Sequence, residues 1–179
     1  MRKINKWDYQ YLELANYLGQ MSNCAAKQIG CLIVKNGDTI ISSGINGTPK
    51  GYTNCNEIFF KKNDEWYSKL ASDKNDYVVN EGIKYYKIKN TDMTHKEFTL
   101  NHEVHAEINA ISKMARVGVS TDDCSLYCTY SPCRDCAKAI IASGIKEVFY
   151  IKEFDDSGEV IEFLNANDVE INKLYIDGV

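Results

Sequence analysis

Apolar side chains fall at Trp7, Tyr11, Leu14, Ala15, Leu18 and Met21. That spacing of three and four predicts an amphipathic helix over residues 5–21. The period then changes. Gly30–Val34 and Thr39–Ser43 are β-prone runs on either side of Lys35-Asn36-Gly37-Asp38, and an Asn-Gly step between two such runs predicts a hairpin. The next stretch, INGTPKGYTN over 45–54, is rich in turn formers and predicts an exposed loop of functional interest.

Residues 55–100 are polar and less regular. The pattern of 56–70 is read as a helix, and that of 77–90 as a short hairpin around Asn80-Glu81-Gly82. Beyond them the order is regular. A helix is predicted from His105 to Val117, a strand over Ser125–Thr129, and a helix opened by Ser131 and Pro132 and running to Ser143. A strand over Glu147–Ile151, a helix over 158–165 and a strand over Val169–Ile176 complete the pattern. Strands alternating with helices imply an α/β fold with helices on both sides of a sheet. With no internal repeat or low-complexity tract, residues 1–179 are expected to form a single domain carrying a polar insert at about 55–100.

Composition narrows the function. A formal charge of −4 argues against a sequence-independent grip on polymeric nucleic acid, which calls for a basic surface. A small anionic ligand needs only a few local cations. The first residues lack a continuous apolar signal region, and no run approaches the roughly 18 apolar residues of a membrane span, so a soluble, cytoplasmic protein is expected. The seven cysteines are an odd number, better read as thiols or metal ligands than as a disulfide framework.

Two segments carry chemistry: His105-Ala106-Glu107, and Pro132-Cys133-Arg134-Asp135-Cys136. Cys133 and Cys136 share the first turn of a predicted helix, where the positive end of the helix dipole favours thiolates by about 0.3–1 kcal/mol. Ser131 suits the N-cap and Pro132 the first helical position. With no second CxxC in the chain, a zinc ribbon cannot be built. One histidine and two cysteines leave the fourth position of tetrahedral zinc open, the mark of a catalytic site. Glu107, two residues past His105, is placed to exchange protons with a water at that position. Together the segments match the H-x-E and P-C-x-x-C signature of zinc-dependent nucleobase deaminases.

The likeness extends further. Gly44-Ile45-Asn46-Gly47-Thr48-Pro49-Lys50-Gly51, HAEINAI over 105–111 and YCTYSPCRDCAKAIIASGIKEVFY over 127–150 resemble the deoxycytidylate (dCMP) deaminase family, especially its phage-encoded members. The resemblance implies a three-layer α/β/α, cytidine-deaminase-like fold with a five-stranded mixed sheet. It also implies hydrolysis of dCMP to dUMP and ammonia for dTTP synthesis, in the host cytoplasm where the enzyme is phage-encoded. Family regulation implies activation by dCTP and inhibition by dTTP, Mg2+ accompanying the effector, and a hexameric homo-oligomer. By the same resemblance, zinc is held by His105, Cys133 and Cys136, and Glu107 shuttles protons to N3 of cytosine and to the departing amine.

Asn46 resembles the residue that binds the sugar. The Ala106 amide and the Ser131 carbonyl resemble groups flanking the pyrimidine, and Gln28 lies ahead of the first strand in the matching stretch. Phe154 stands where the family commonly has tyrosine, so a hydroxyl contact near the substrate is missing. Gly47, Lys50 and Arg116 are the effector candidates. Some phage members hold a second, structural zinc, and the matching positions here are Cys24, Cys55, His95 and Glu103. Three alternatives stay open: a related deaminase acting on dCTP or a 5-modified deoxycytidine nucleotide, an RNA-editing or pterin- or flavin-precursor deaminase, and a non-catalytic, zinc-stabilised nucleotide sensor. Glu107 speaks against the sensor, which needs no proton-handling group beside an open metal position.

Overall fold

In the computed structural model, which describes residues 3–154, 157–176 and 178, the first predicted helix forms as α1 (Lys6–Gly19). Asn5 caps it by accepting from the Trp7 N–H, and Asp8 reaches back to the Asn5 N–H. Such a capping box satisfies two helix-end donors at once. The hairpin follows as β1 (Gly30–Lys35) and β2 (Thr39–Ile45), turning at Asn36 and Gly37, both with positive φ. Next come α2 (Cys55–Ile58), β3 (Phe59–Lys62), β4 (Glu65–Ser68), β5 (Tyr77–Asn80), β6 (Ile83–Lys87) and α3 (His95–His102). The chain continues with α4 (Ala106–Val117), β7 (Ser125–Tyr130), α5 (Arg134–Ala142), β8 (Glu147–Lys152), α6 (Ser157–Asn165) and β9 (Glu170–Lys173).

These elements fall into two compact units. The first comprises the chain up to Ser22, Ile29–Asn46 and the chain from His105 onward; the second comprises Asn23–Gln28 and Gly47–Val104. The first unit holds the expected five-stranded mixed sheet, in the order β2-β1-β7-β8-β9. β1 runs antiparallel to β2 and β7, whereas β7, β8 and β9 run parallel. Strand alternation divides the core into two layers. Leu32, Val34, Tyr127 and Phe149 face α1 through Tyr11, Leu12 and Ala15. Cys31, Ile33, Leu126, Cys128 and Val148 face the other way, onto Ala106, Ala110 and Met114 of α4, Ile140 of α5 and Leu164 of α6. Each fully buried Leu or Ile contributes roughly 1.5–3 kcal/mol.

Within the α1 layer one polar bond is sealed. The Tyr127 hydroxyl donates to Asp8 Oδ1 at 2.7 Å, with both residues buried. A carboxylate can sit there because its other oxygen accepts from the Asn5 N–H.

The second unit departs from the expected helix over 56–70. Only Cys55–Ile58 is helical, and β3 and β4 form an antiparallel hairpin pairing Phe60 with Tyr67 and Lys61 with Trp66. Asn63 and Asp64 both take left-handed φ (50° and 61°), the turn that suits a two-residue hairpin loop. The predicted hairpin at 77–90 forms as β5 and β6, and the sheet order is β3-β4-β6-β5. The sequence reading missed α3, although Thr94 and Glu97 form a complete capping box at its start. The last strand is shorter than expected, Glu170–Lys173.

Helix α4, which opens with the H-x-E segment, lies hard against β2. A Cβ on Gly44 would stand 2.0 Å from the Ala106 carbonyl oxygen and 2.8 Å from the Ala110 nitrogen. Both neighbours are backbone and cannot turn aside. Gly44→Ala is therefore expected to cost about 3 kcal/mol or more, read as a lowered urea midpoint; an unchanged midpoint would contradict this packing.

Candidate active site

Three donors from two helix starts meet in the first unit. His105 is the N-cap of α4 and Cys133 the N-cap of α5, both with extended backbone and neither spending its side chain on capping. The turns behind them close through Asn109 N–H to His105 O and Ala137 N–H to Cys133 O, each 2.9 Å. His105 Nδ1 stands 3.4 Å from Cys133 Sγ and 3.3 Å from Cys136 Sγ. Bonds of about 2.0–2.1 Å to nitrogen and 2.3 Å to sulfur in a tetrahedron would separate such donors by about 3.5 Å. The set fits zinc without rearrangement.

The thiols already divide their protons unequally. Cys133 is held down to about 4, first by the hydrogen bond from Cys136 and then by His105, against the opposing pull of burial. Cys136 is pushed up by the neighbouring Cys133 and by burial. Glu107, two residues into the same helix start, is 4% exposed. Burial pushes its carboxyl above the usual range, while a hydrogen bond from its own backbone N–H and the nearby His105 oppose the rise. A buried carboxyl beside an open metal position is the arrangement that general acid–base work requires.

Ser131 does not cap α5 as expected. Its hydroxyl accepts from the Phe154 N–H at 3.0 Å, and its own N–H donates to Lys152 O at 2.8 Å. The helix begins at Arg134, so Pro132 precedes the cap rather than following it. Ser131 ties the start of α5 to the end of β8, and Phe154 lies against Tyr130 with ring centroids 5.0 Å apart. Asn46 is buried, its Oδ1 accepting from the Ile29 N–H at 2.8 Å and its N–H donating to Ile29 O. That double clamp fixes the carboxamide with its oxygen turned inward. Ala106 is the first residue of α4, where the N–H lacks an intrahelical acceptor.

A second cluster forms in the other unit. Cys24, Cys55 and His95 are all buried, with donor atoms within 4.8 Å of one another. Cys24 Sγ lies 3.8 Å from His95 Nε2, and Cys55 Sγ accepts from the Ala25 N–H. Glu103, the fourth expected ligand, stands outside that gathered set of three, and burial and the Cys24 charge raise its carboxyl to about 7. Cys24 is held down to about 3, first by Cys55 and also by His95. The imidazole is boxed by Trp66, stacked at 4.1 Å, and by the edge of Phe59. Elsewhere in this unit Gln28 and Lys50 are exposed, and Gly47 pairs with Val104. Arg116 is exposed on the last turn of α4 in the first unit.

A family model described as the cytidine and deoxycytidylate deaminase zinc-binding region matches residues 5–152. The chain belongs to that family. It is 34% identical to the deoxycytidylate deaminase of Enterobacteria phage T4, across 94% of each chain. To that of phage T2 it is 36% identical, over 80% of this chain and 79% of the relative. Among solved structures, the dCMP deaminase of cyanophage S-TIM5 in complex with dCMP and dUMP is similar at a TM-score of 0.67. The two are 30% identical, covering 97% of this chain and 100% of the other. Zinc is the metal this deaminase family binds, and the donor set of His105, Cys133 and Cys136 suits it. Among the described residues no helix is long and apolar enough to cross a membrane.

Sequence reasoning passed over one feature of this deaminase. A cavity of about 410 Å³ adjoins the cluster, lined by Pro132, Cys133, Arg134, Phe154, Ser157, Glu159 and Val160. The available signal was a guanidinium placed between two metal-type cysteines.

Proposed function

We propose that this deaminase hydrolyses dCMP to dUMP and ammonia, with His105, Cys133 and Cys136 holding a catalytic zinc and Glu107 handling the protons. The convergence of those three donors with a buried carboxyl two residues along is the observation that carries the reading. Zinc bound there would supply a Lewis acid that brings a water's pKa down to about 7. Glu107 takes a proton from the attacking water and passes it to N3 of the cytosine, then delivers a second to the departing amine. Its burial suits that role, since it pushes the carboxyl above its usual range and so makes it a better proton acceptor than an exposed carboxylate. The Ala106 N–H faces the pyrimidine edge. Asn46, clamped by Ile29, holds the sugar, and Gln28, the Ser131 carbonyl and the Phe154 ring complete the substrate contacts. With phenylalanine at 154, that contact is apolar and carries no hydroxyl.

We assign a second, structural zinc to Cys24, Cys55, His95 and Glu103. Three buried donors already gathered, with the Glu103 carboxyl near enough for the Cys24 charge to raise it, support it. Metal bound there would contribute directly to folding of that unit. Regulation by dCTP and dTTP with Mg2+, through Gly47, Lys50 and Arg116, rests on the likeness to phage dCMP deaminases, as do assembly into a hexamer, work in the cytoplasm and supply of dUMP for dTTP synthesis.

Three results are expected. Glu107→Gln should keep its zinc yet lose about 10²–10⁴-fold in kcat for ammonia release from dCMP; near-normal turnover would remove the proton-handling role. Elemental analysis of the purified protein should find about two zinc per chain, falling to one in Cys24→Ser with a lower melting temperature. A wild-type value of one would reject the structural site. Saturation with dCMP should be sigmoidal and become hyperbolic with dCTP present. Curves indifferent to both effectors, together with monomeric sedimentation, would remove the regulatory assignment.

A further inference from the structure

The cavity beside Cys133 has a single cationic side chain in its lining, Arg134. This residue opens α5, between the metal-type residues Cys133 and Cys136 in the first turn of that helix. Its guanidinium is held in place rather than left to swing. It rests over the Phe163 ring at 4.1 Å, and Nη1 donates to the Glu159 backbone oxygen at 3.3 Å. Aromatic stacking and one carbonyl bond orient a planar fork without themselves neutralising its charge. Among the described residues Arg134 has no ion-pair partner. Its contact with Glu159 is to the backbone, and the neighbouring acid Asp135 pairs with Lys138 instead.

Two further features of the same wall favour an anion. The starts of both α5 and α6 contribute to the lining, through Cys133 and Ser157, and helix N-termini present N–H donors and positive potential. Ser157 adds a hydroxyl. Among the described lining residues Glu159 is the opposing charge, and it sits in the first turn of α6 where the helix dipole already answers it.

We infer that Arg134 is the positioning residue for the substrate's 5′-phosphate, and that this cavity is where the enzyme distinguishes a nucleotide from a nucleoside. The inference rests on the dCMP reading above and deepens it. A preoriented guanidinium meets phosphate oxygens through paired N–H donors. Anchoring the phosphate beside Cys133 fixes one end of the substrate while the base occupies the metal site at the other. The binding energy of this remote group is then available to orient the reacting carbon.

The test compares dCMP with deoxycytidine on the zinc-loaded full-length enzyme, in wild type, Arg134→Ala and Arg134→Lys. Wild type should prefer dCMP. Arg134→Ala should lose about 10–150-fold in kcat/KM for dCMP, as expected for a charge-assisted hydrogen bond, while its activity on deoxycytidine stays within about twofold of wild type. Arg134→Lys should recover part of the loss, since it restores the charge without the fork. A second readout needs no turnover: deoxyribose 5-phosphate should raise the melting temperature of wild type and leave that of Arg134→Ala unmoved. Equal losses on both substrates would overturn the anchor and leave Arg134 as a clip between α5 and α6. Undiminished activity of Arg134→Ala on dCMP would overturn it as well. A wild-type enzyme inert toward dCMP, with zinc bound, would instead overturn the underlying reading and the anchor with it.

Discussion

Everything in the first unit answers to one requirement: an imidazole nitrogen must stand within 3.4 Å of two thiol sulfurs that lie far from it in the chain. Neither helix could meet that tolerance alone. It is met because His105 and Cys133 sit at N-caps, where extended backbone leaves the side chain unspent in front of the helix, and Cys136 follows in the first turn of α5. Holding the caps in place falls to the sheet. α4 is pressed onto β2 at Gly44 with no room for a methyl group, and α5 is tied to the end of β8 through Ser131 and Phe154. Placement thus comes from close backbone contacts, Gly44 on Ala106 and the Ser131 N–H on Lys152 O, with one short side-chain tie from the Ser131 hydroxyl, as a preorganised site requires.

The electrostatics follow from the same compactness. Two sulfurs and a carboxyl forced together out of water cannot all be ionised, so protons distribute unevenly among Cys133, Cys136 and Glu107. A divalent cation relieves that crowding. In the second unit Cys24, Cys55 and Glu103 repeat the pattern around a different histidine. Glu103 and His105 are two residues apart, yet their side chains belong to separate clusters. The two pairs of ionisable groups between 102 and 107 therefore do not make one centre, and His102 stacks on Tyr52 instead, with ring centroids 5.1 Å apart.

Periodicity made the first unit legible because β1, β7 and β8 are buried on both faces and its helices on one, which is what hydropathy records. The catalytic donors were legible from spacing, since three ligands crowd into two short motifs. The second cluster was not. Cys24, Cys55, His95 and Glu103 are scattered singly, and only likeness to relatives grouped them. Residues 56–70 misled for a physical reason: Phe60, Trp66 and Tyr67 belong to a hairpin whose turn is made by Asn63 and Asp64, without the glycine that usually announces one. Ser131 misled because serine is a good cap in isolation, while here tertiary structure claims its hydroxyl for Phe154.

The sheet's central pairing joins β1 to β7, Leu32 opposite Tyr127. Most of the second unit lies in the loop this pairing must close. The metal site is therefore a late event in synthesis, because neither Cys133 nor the strand leading to it exists when β1 leaves the ribosome. Meanwhile the intervening segment carries its own four-stranded antiparallel sheet of near neighbours, and local contacts form before distant ones. Folding it early shortens the effective loop that β1 and β7 must span, lowering the entropic barrier to their meeting. What reads in the sequence as a polar insertion is thus a locally folding segment set between the β1–β2 hairpin and the part of the chain that carries His105, Cys133 and Cys136.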